Sequence, residues 1–187
     1  KKRKIKIIST FDDWSLDANK NRIKLWTKIA KESNSVVVKT KYAKEILIKN
    51  LNINAEVIED CLEFNLVNPL KKFSKPIKLC WFGHYSNHDT LVAGIKQIMK
   101  GDEQIILDVI TNYIHQPFSS LIQDLKSLNL LNLKVNIIKW SPKFNEDIIK
   151  SDIVIIPTIE DERCLVKSHN RLTESLNLGR FVIANYT

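Results

Sequence analysis

Lys167, Ser168, Asn170, Arg171 and Glu174 fall in one short stretch of the sequence, at the start of a predicted helix. Two cations, a hydroxyl and an amide at such a place suit an anion, because the first N–H groups of a helix are unpaired and its dipole is positive at that end. Lys167 adds a point charge fitted to a diphosphate. Glu174 lies about one turn beyond Asn170, where a carboxylate can accept hydrogen bonds from sugar hydroxyls. A single nucleotide diphosphate would satisfy both ends. The local pattern also admits a plainer alternative, in which Glu174 is an exposed helical glutamate and Lys167 and Arg171 are surface charges. A second stretch, Gly83 to Asp89, reads as a polar loop: Gly83 lets backbone approach a ligand, and His84 and Tyr85 offer further contacts to it.

Other candidates are weaker. His84 and His88 are four residues apart, but no third ligand is near, so no metal site is expected. Asp12-Asp13 reads as a loop pair rather than a metal-binding motif. Cys61, Cys80 and Cys164 are odd in number and widely spaced, which supports neither a disulfide framework nor a zinc site, so they read as buried thiols. Cys164 has no identifiable base beside it. Trp81 and Trp140, at predicted strand ends, read as core or cleft-wall residues. GxGxxG, GxxxxGK[ST] and HExxH are absent.

The elements that must hold these residues follow from hydrophobic periodicity. Residues 4–9 predict a strand, 21–32 a helix, 36–38 a strand, 40–50 a helix capped by Thr40, and 55–59 a strand. Residues 65–76, with two prolines and three lysines, read as a connector. The domain boundary is therefore placed at 70/71. Strands follow at 77–82, 104–110, 134–139 and 152–156. They alternate with helices at 90–100, stopped by Gly101 as a left-handed cap, at 117–128 and at 141–150. A loop over 158–164 leads to the helix that ends at Gly179, and 181–184 is a last strand. Nearly all-apolar strands alternating with helices imply mainly parallel sheets and right-handed crossovers. The fold class is α/β, with two Rossmann-like parallel-sheet units, the N-terminal one incomplete.

At 187 residues, 44% apolar and 27% charged, the composition excludes intrinsic disorder, collagen and a small disulfide scaffold. No apolar run reaches the roughly 20 residues that cross a bilayer, and no signal peptide is visible, so a cytoplasmic location is expected. The formal charge is +8, and all of the excess lies in residues 1–76, with 17 Lys/Arg against 9 Asp/Glu. Such asymmetry fits an acidic partner, and contact with the inner face of the cell membrane through Lys1, Lys2, Lys4, Lys71, Lys72 and Lys75 is one expectation. The abundance of lysine throughout is the plainer account. Nucleic acid is not an expected partner, since the lysines are not interleaved with stacking aromatics.

The run VKSHNRLTESLNLGRFVIA resembles the donor half of the GT-B glycosyltransferases, in particular the large retaining family 4. The family carries a glutamate followed five residues later by glycine and then an apolar strand, as Glu174, Gly179 and 181–184 do. A subgroup carries a KSxNR run, matched by Lys167, Ser168, Asn170 and Arg171. IIKWSPKFNEDIIKSDIVIIPT, SVVVKTKYAKEIL and AEVIEDCLEF resemble further parts of the same pattern. Val166 stands where the family has the first of its paired glutamates, with Glu160, Asp161 or Glu162 as possible substitutes. Lys167 and Arg171 replace cations absent from 82–91.

The resemblance implies a GT-B-like fold, with residues 1–70 as the end of an acceptor-side domain plus linker and 71–187 as a truncated donor domain, and so a fragment of a longer protein. It implies a metal-independent hexosyltransferase without cofactor. This would move a hexose from a nucleotide-diphosphate sugar to a glycan or lipid-linked acceptor, with retention, in surface polysaccharide biosynthesis. The nucleotide sugar would meet Gly83, His84, Lys167, Ser168, Asn170, Arg171 and Glu174. Lys167 and Arg171 would serve the leaving group and Glu174 the ribose. Alternatives are an inactive nucleotide-binding or interaction module of the same fold, and a basic nucleic-acid-binding α/β domain.

Overall fold

The computed structural model describes residues 5–11, 20–62, 73, 75–112, 118–128, 130–159 and 162–185. The first elements along the chain are β1 (Ile8–Phe11), α1 (Lys20–Glu32), β2 (Ser35–Val38), α2 (Lys41–Leu51) and β3 (Glu56–Val57). Next come β4 (Ile77–His84), a 3-10 turn (Tyr85–Asn87), α3 (His88–Ile98), β5 (Ile105–Asn112), α4 (Phe118–Ser127) and β6 (Leu133–Lys139). The last are α5 (Phe144–Ile149), β7 (Ile153–Ile156), α6 (Glu162–Leu165), α7 (Asn170–Asn177) and β8 (Phe181–Ala184). Two compact units result. One takes the chain to Cys61 together with Ile159–Asn170, and the other takes Leu62–Thr158 with the segment from Arg171. Residues 159–170, which the boundary at 70/71 assigns to the second unit, thus pack in the first.

In the first unit a parallel sheet runs in the order β1-β2-β3. Thr40, in extended backbone, caps α2 by accepting from the Ala43 N–H at 3.1 Å, as its position ahead of the apolar Ala43, Ile46 and Leu47 predicts. Asn52 closes the helix in the left-handed region, with φ 53°. Those three side chains pack with Phe11, Ala30, Val36, Val38 and Val166 in one core. Burial of Leu47 alone is worth about 1.5–3 kcal/mol.

The second unit is a five-stranded parallel sheet in the order β6-β5-β4-β7-β8. Successive residues of β4 point to opposite faces, and both faces are buried. Leu79 and Trp81 join a core with Leu91, Ile95, Leu107, Val109, Leu121 and Leu125, and Cys80 and Phe82 join another with Ile110, Phe144, Ile148 and Leu178. Two buried polar residues tie strand ends together. Asp152 accepts from the Lys78 N–H at 2.8 Å and returns its own N–H to the Lys78 carbonyl at 2.8 Å. Arg180, 2% exposed, donates to the carbonyls of Leu178 (3.1 Å), Ile149 (3.1 Å) and Ser151 (2.9 Å).

Several local expectations are corrected. β4 runs on through Gly83 and His84, so these are strand residues rather than loop residues, because pairing with Thr111 and Asn112 of β5 continues to its end. α3 begins at His88 and is closed by Met99, whose N–H reaches the Ile95 carbonyl at 2.9 Å, so Gly101 is not its left-handed cap. One helical turn, α6, occupies part of the expected 158–164 loop. Cys80 is buried, and burial pushes its thiol far up, but Cys61 is exposed and Cys164 only half-buried. Asp12, Asp13, Glu160 and Asp161 lie outside the described residues, as do Lys1, Lys2, Lys4, Lys71 and Lys72. Lys75 pairs with Glu103 at 3.0 Å on the surface. No described helix is long and apolar enough to cross a membrane.

Candidate functional site

In parallel sheets, ligand-binding groups gather beyond the carboxyl ends of the strands. In the second unit β4 ends at Gly83-His84, in register with Thr111-Asn112 of β5. The chain then turns sharply, and the Tyr85 N–H donates to Asn112 Oδ1 at 3.2 Å. His84 caps this turn: its Nδ1 accepts from the Ser86 N–H at 3.2 Å and lies 2.8 Å from Ser86 Oγ. With Nδ1 an acceptor, the proton of the neutral ring sits on Nε2, which can then donate to an anion or a sugar hydroxyl. His88 is committed differently. Its Nδ1 lies 3.1 Å from the Tyr85 carbonyl and its Nε2 2.9 Å from Asp89 Oδ1. Among the described residues no three His, Cys, Asp or Glu side chains gather as a metal site would.

α7 brings Arg171 and Glu174 into the same unit. Arg171 Nη1 donates to the Phe82 carbonyl at 3.3 Å, and a Cβ on Gly83 would stand 3.3 Å from that nitrogen and 3.1 Å from the Trp81 ring. Gly83 therefore leaves room for the guanidinium at the end of β4. Glu174 is 4% exposed, which overturns the alternative of a solvated helical glutamate. A carboxylate is not carried into such a place without hydrogen-bonding partners or a function. The helix ends in a Schellman motif. Arg180 donates its N–H to the Ser175 carbonyl at 3.0 Å and Gly179 to Leu176 at 2.9 Å, and Gly179 takes φ 70°. The glycine five residues after Glu174 is thus a backbone requirement.

The residues before α7 belong to the first unit. Val166 is 1% exposed in its core, so the position where the family pattern has a glutamate is a packing position. The Val166 carbonyl accepts from Thr40 Oγ1 at 3.2 Å. Ser168 donates its hydroxyl to Asp60 Oδ2, and Asp60 Oδ1 lies 2.8 Å from Lys39 Nζ. Hydrogen bonds from Lys39 and then Ser168 hold the Asp60 carboxyl below its ordinary value. Lys167, between these anchors, is half-buried. Of the substitutes for the missing glutamate, Glu162 is the described one; it opens α6 and leaves Oε1 buried without a partner. Trp81 is core, whereas Trp140 is 47% exposed and stacks on Phe144 at 6.0 Å.

Lys39 and Asp60 are not among the residues that the sequence singles out, and Thr40 is singled out there only as a helix cap. The available signal was their position, immediately after strands of a parallel sheet.

No protein-family model matches the sequence, and no curated protein matches it significantly. Solved structures do. A mutant of TarM from S. aureus, in complex with fondaparinux, alpha-GlcNAc-glycerol and UDP, superposes with a TM-score of 0.71 at 14% identity, over 95% of this chain and 36% of that one. A glycosyltransferase from Rickettsia africae gives 0.66 at 19% identity, over 95% and 50%. The pneumococcal O-GlcNAc transferase GtfA, in complex with UDP and GlcNAc, gives 0.65 at 12%, over 96% and 37%. This chain has a GT-B glycosyltransferase fold. It spans between about a third and a half of the length of these GT-B structures.

Proposed function

We propose that this GT-B chain is part of a glycosyltransferase that moves a hexose from a nucleotide-diphosphate sugar to a glycan or lipid-linked acceptor in surface polysaccharide biosynthesis. The observation that carries the reading is the buried Glu174 on α7, in the same helix as an Arg171 guanidinium seated at the carboxyl end of β4. Arg171, Lys167 and Asn170 would meet the diphosphate, Glu174 the ribose, and Gly83 and His84 the rest of the donor, while the Ser168 hydroxyl, expected at the donor, is taken by Asp60.

The catalysis is electrostatic. Fixed cations and helix N–H groups stabilise the charge that builds on the departing diphosphate, while the sugar becomes oxocarbenium-like. Lys167 and Arg171 supply the positive charge that a metal provides in other transferases, so the proposal includes no metal or other cofactor. Retention of configuration follows from the family resemblance. Peripheral contact of the basic segment with an anionic membrane face belongs to the same reading.

Calorimetric titration with UDP and GDP tests it. One of them is expected to bind, with affinity falling at least tenfold in Glu174→Ala and in Lys167→Ala, and a short DNA duplex is not. Absence of nucleotide binding, or binding that ignores both substitutions, would defeat the proposal. Val166, packed where the family has a glutamate, favours one second reading: a nucleotide-binding module that does not transfer. Turnover of a nucleotide sugar by the longer protein separates the two.

A further inference from the structure

Lys167 is pinned on both sides by residues far away in sequence. β2 ends at Val38, and the next two residues, Lys39 and Thr40, stand at the carboxyl edge of the first sheet. Beyond β3 the Ile58 N–H still reaches the Val38 carbonyl at 3.0 Å, which carries Asp60 to the same edge. On one side of Lys167, the Val166 side chain is buried in the core and its carbonyl is held by Thr40, 126 residues away. On the other side, the Ser168 hydroxyl is held by Asp60, 108 residues away. We propose that Asp60, acting through Ser168, is a positioning residue that fixes the turn presenting Lys167 to the diphosphate.

The chemistry fits that role better than direct contact would. A carboxylate facing a diphosphate would repel it, but this one is neutralised by the ammonium of Lys39. Ser168 gives its only proton to Asp60 and keeps its lone pairs, which cannot serve an anion, so its contribution is placement of backbone. Placement matters because a cation held in advance loses less freedom on binding than one that must be gathered. The lowered carboxyl of Asp60 agrees with an anion that is doubly bonded in the folded chain.

The inference rests on the nucleotide reading above, so its test needs two readouts on the 187-residue chain. The first is amide hydrogen exchange at 167–169 without ligand, expected to accelerate in Asp60→Ala and in Ser168→Ala but not in Ser168→Thr. The second is affinity for whichever of UDP and GDP the parent binds, expected to fall roughly fivefold to tenfold in either alanine variant, in line with a hydrogen bond to a charged group. The double variant should be no weaker than either single one, and Ser168→Thr should bind as the parent does. Unchanged exchange in Asp60→Ala overturns the inference whatever the nucleotide does, and so do additive losses of affinity. Faster exchange in a chain whose parent form binds neither UDP nor GDP overturns the nucleotide reading, and leaves Asp60 as a fold anchor without the proposed role.

Discussion

In the second unit helices cover both faces of the sheet, and every residue from Leu79 to Phe82 is buried. In the first unit Ile5, Ile7 and Ile8 remain 84%, 50% and 67% exposed, and Leu25 and Ile29 on α1 also face water. The two units accordingly fix their functional side chains by different means. Arg171 is set by main chain, through its own helix and the Phe82 carbonyl. The 166–168 turn is set by the side chains of Thr40 and Asp60. Main-chain placement tolerates substitution around it, whereas side-chain placement is lost with one hydroxyl.

Removing the polar anchor beneath the main-chain placement should have the largest effect. Arg180→Ala leaves three carbonyls without their donor, two of them bonded by one buried nitrogen, and should cost about 3 kcal/mol in urea unfolding. A loss under about 1 kcal/mol would mean that the second unit does not depend on this clamp. Gly83→Ala should be milder. The new methyl meets the movable end of Arg171 and the Trp81 ring, so stability should fall by about 1 kcal/mol or less. UDP affinity should fall several-fold more than stability predicts. If affinity is untouched, Arg171 is not held by that contact.

The smallest effect concerns pH. The Asp60 carboxyl is lowered in the folded chain, so its contribution is fully present above the ordinary carboxylate range and is lost as pH falls through its folded value. The difference in hydrogen-exchange protection at 167–169 between the parent chain and Asp60→Ala should be constant from about pH 8 to about pH 5, and should close only in stronger acid. A difference that closes near pH 6.5 would implicate a histidine instead.

The alternation of strands and helices was legible because β7 is an unbroken apolar run and the apolar runs of β4 and β5 are each interrupted by a single charged residue, Lys78 and Asp108. The Thr40 cap and the Gly179 stop were legible because each is a local backbone requirement met by a residue type that suits it. α6 was missed because one turn has no period to detect. Gly101 misled because Met99 already closes α3. Within the candidate site, Arg171 and Glu174 were visible from spacing along one helix. The Asp60–Ser168 bond has no local trace, since nothing at either position specifies a partner 108 residues away.

Among the described residues the chain passes from one compact unit to the other at 61/62, returns at 158/159 and leaves again at 170/171. A single backbone break at 61/62 would therefore leave the two later crossings intact. Nor would a gene trimmed at codon 70 encode a self-sufficient half, because the first core would be missing the valine that the later excursion delivers to it.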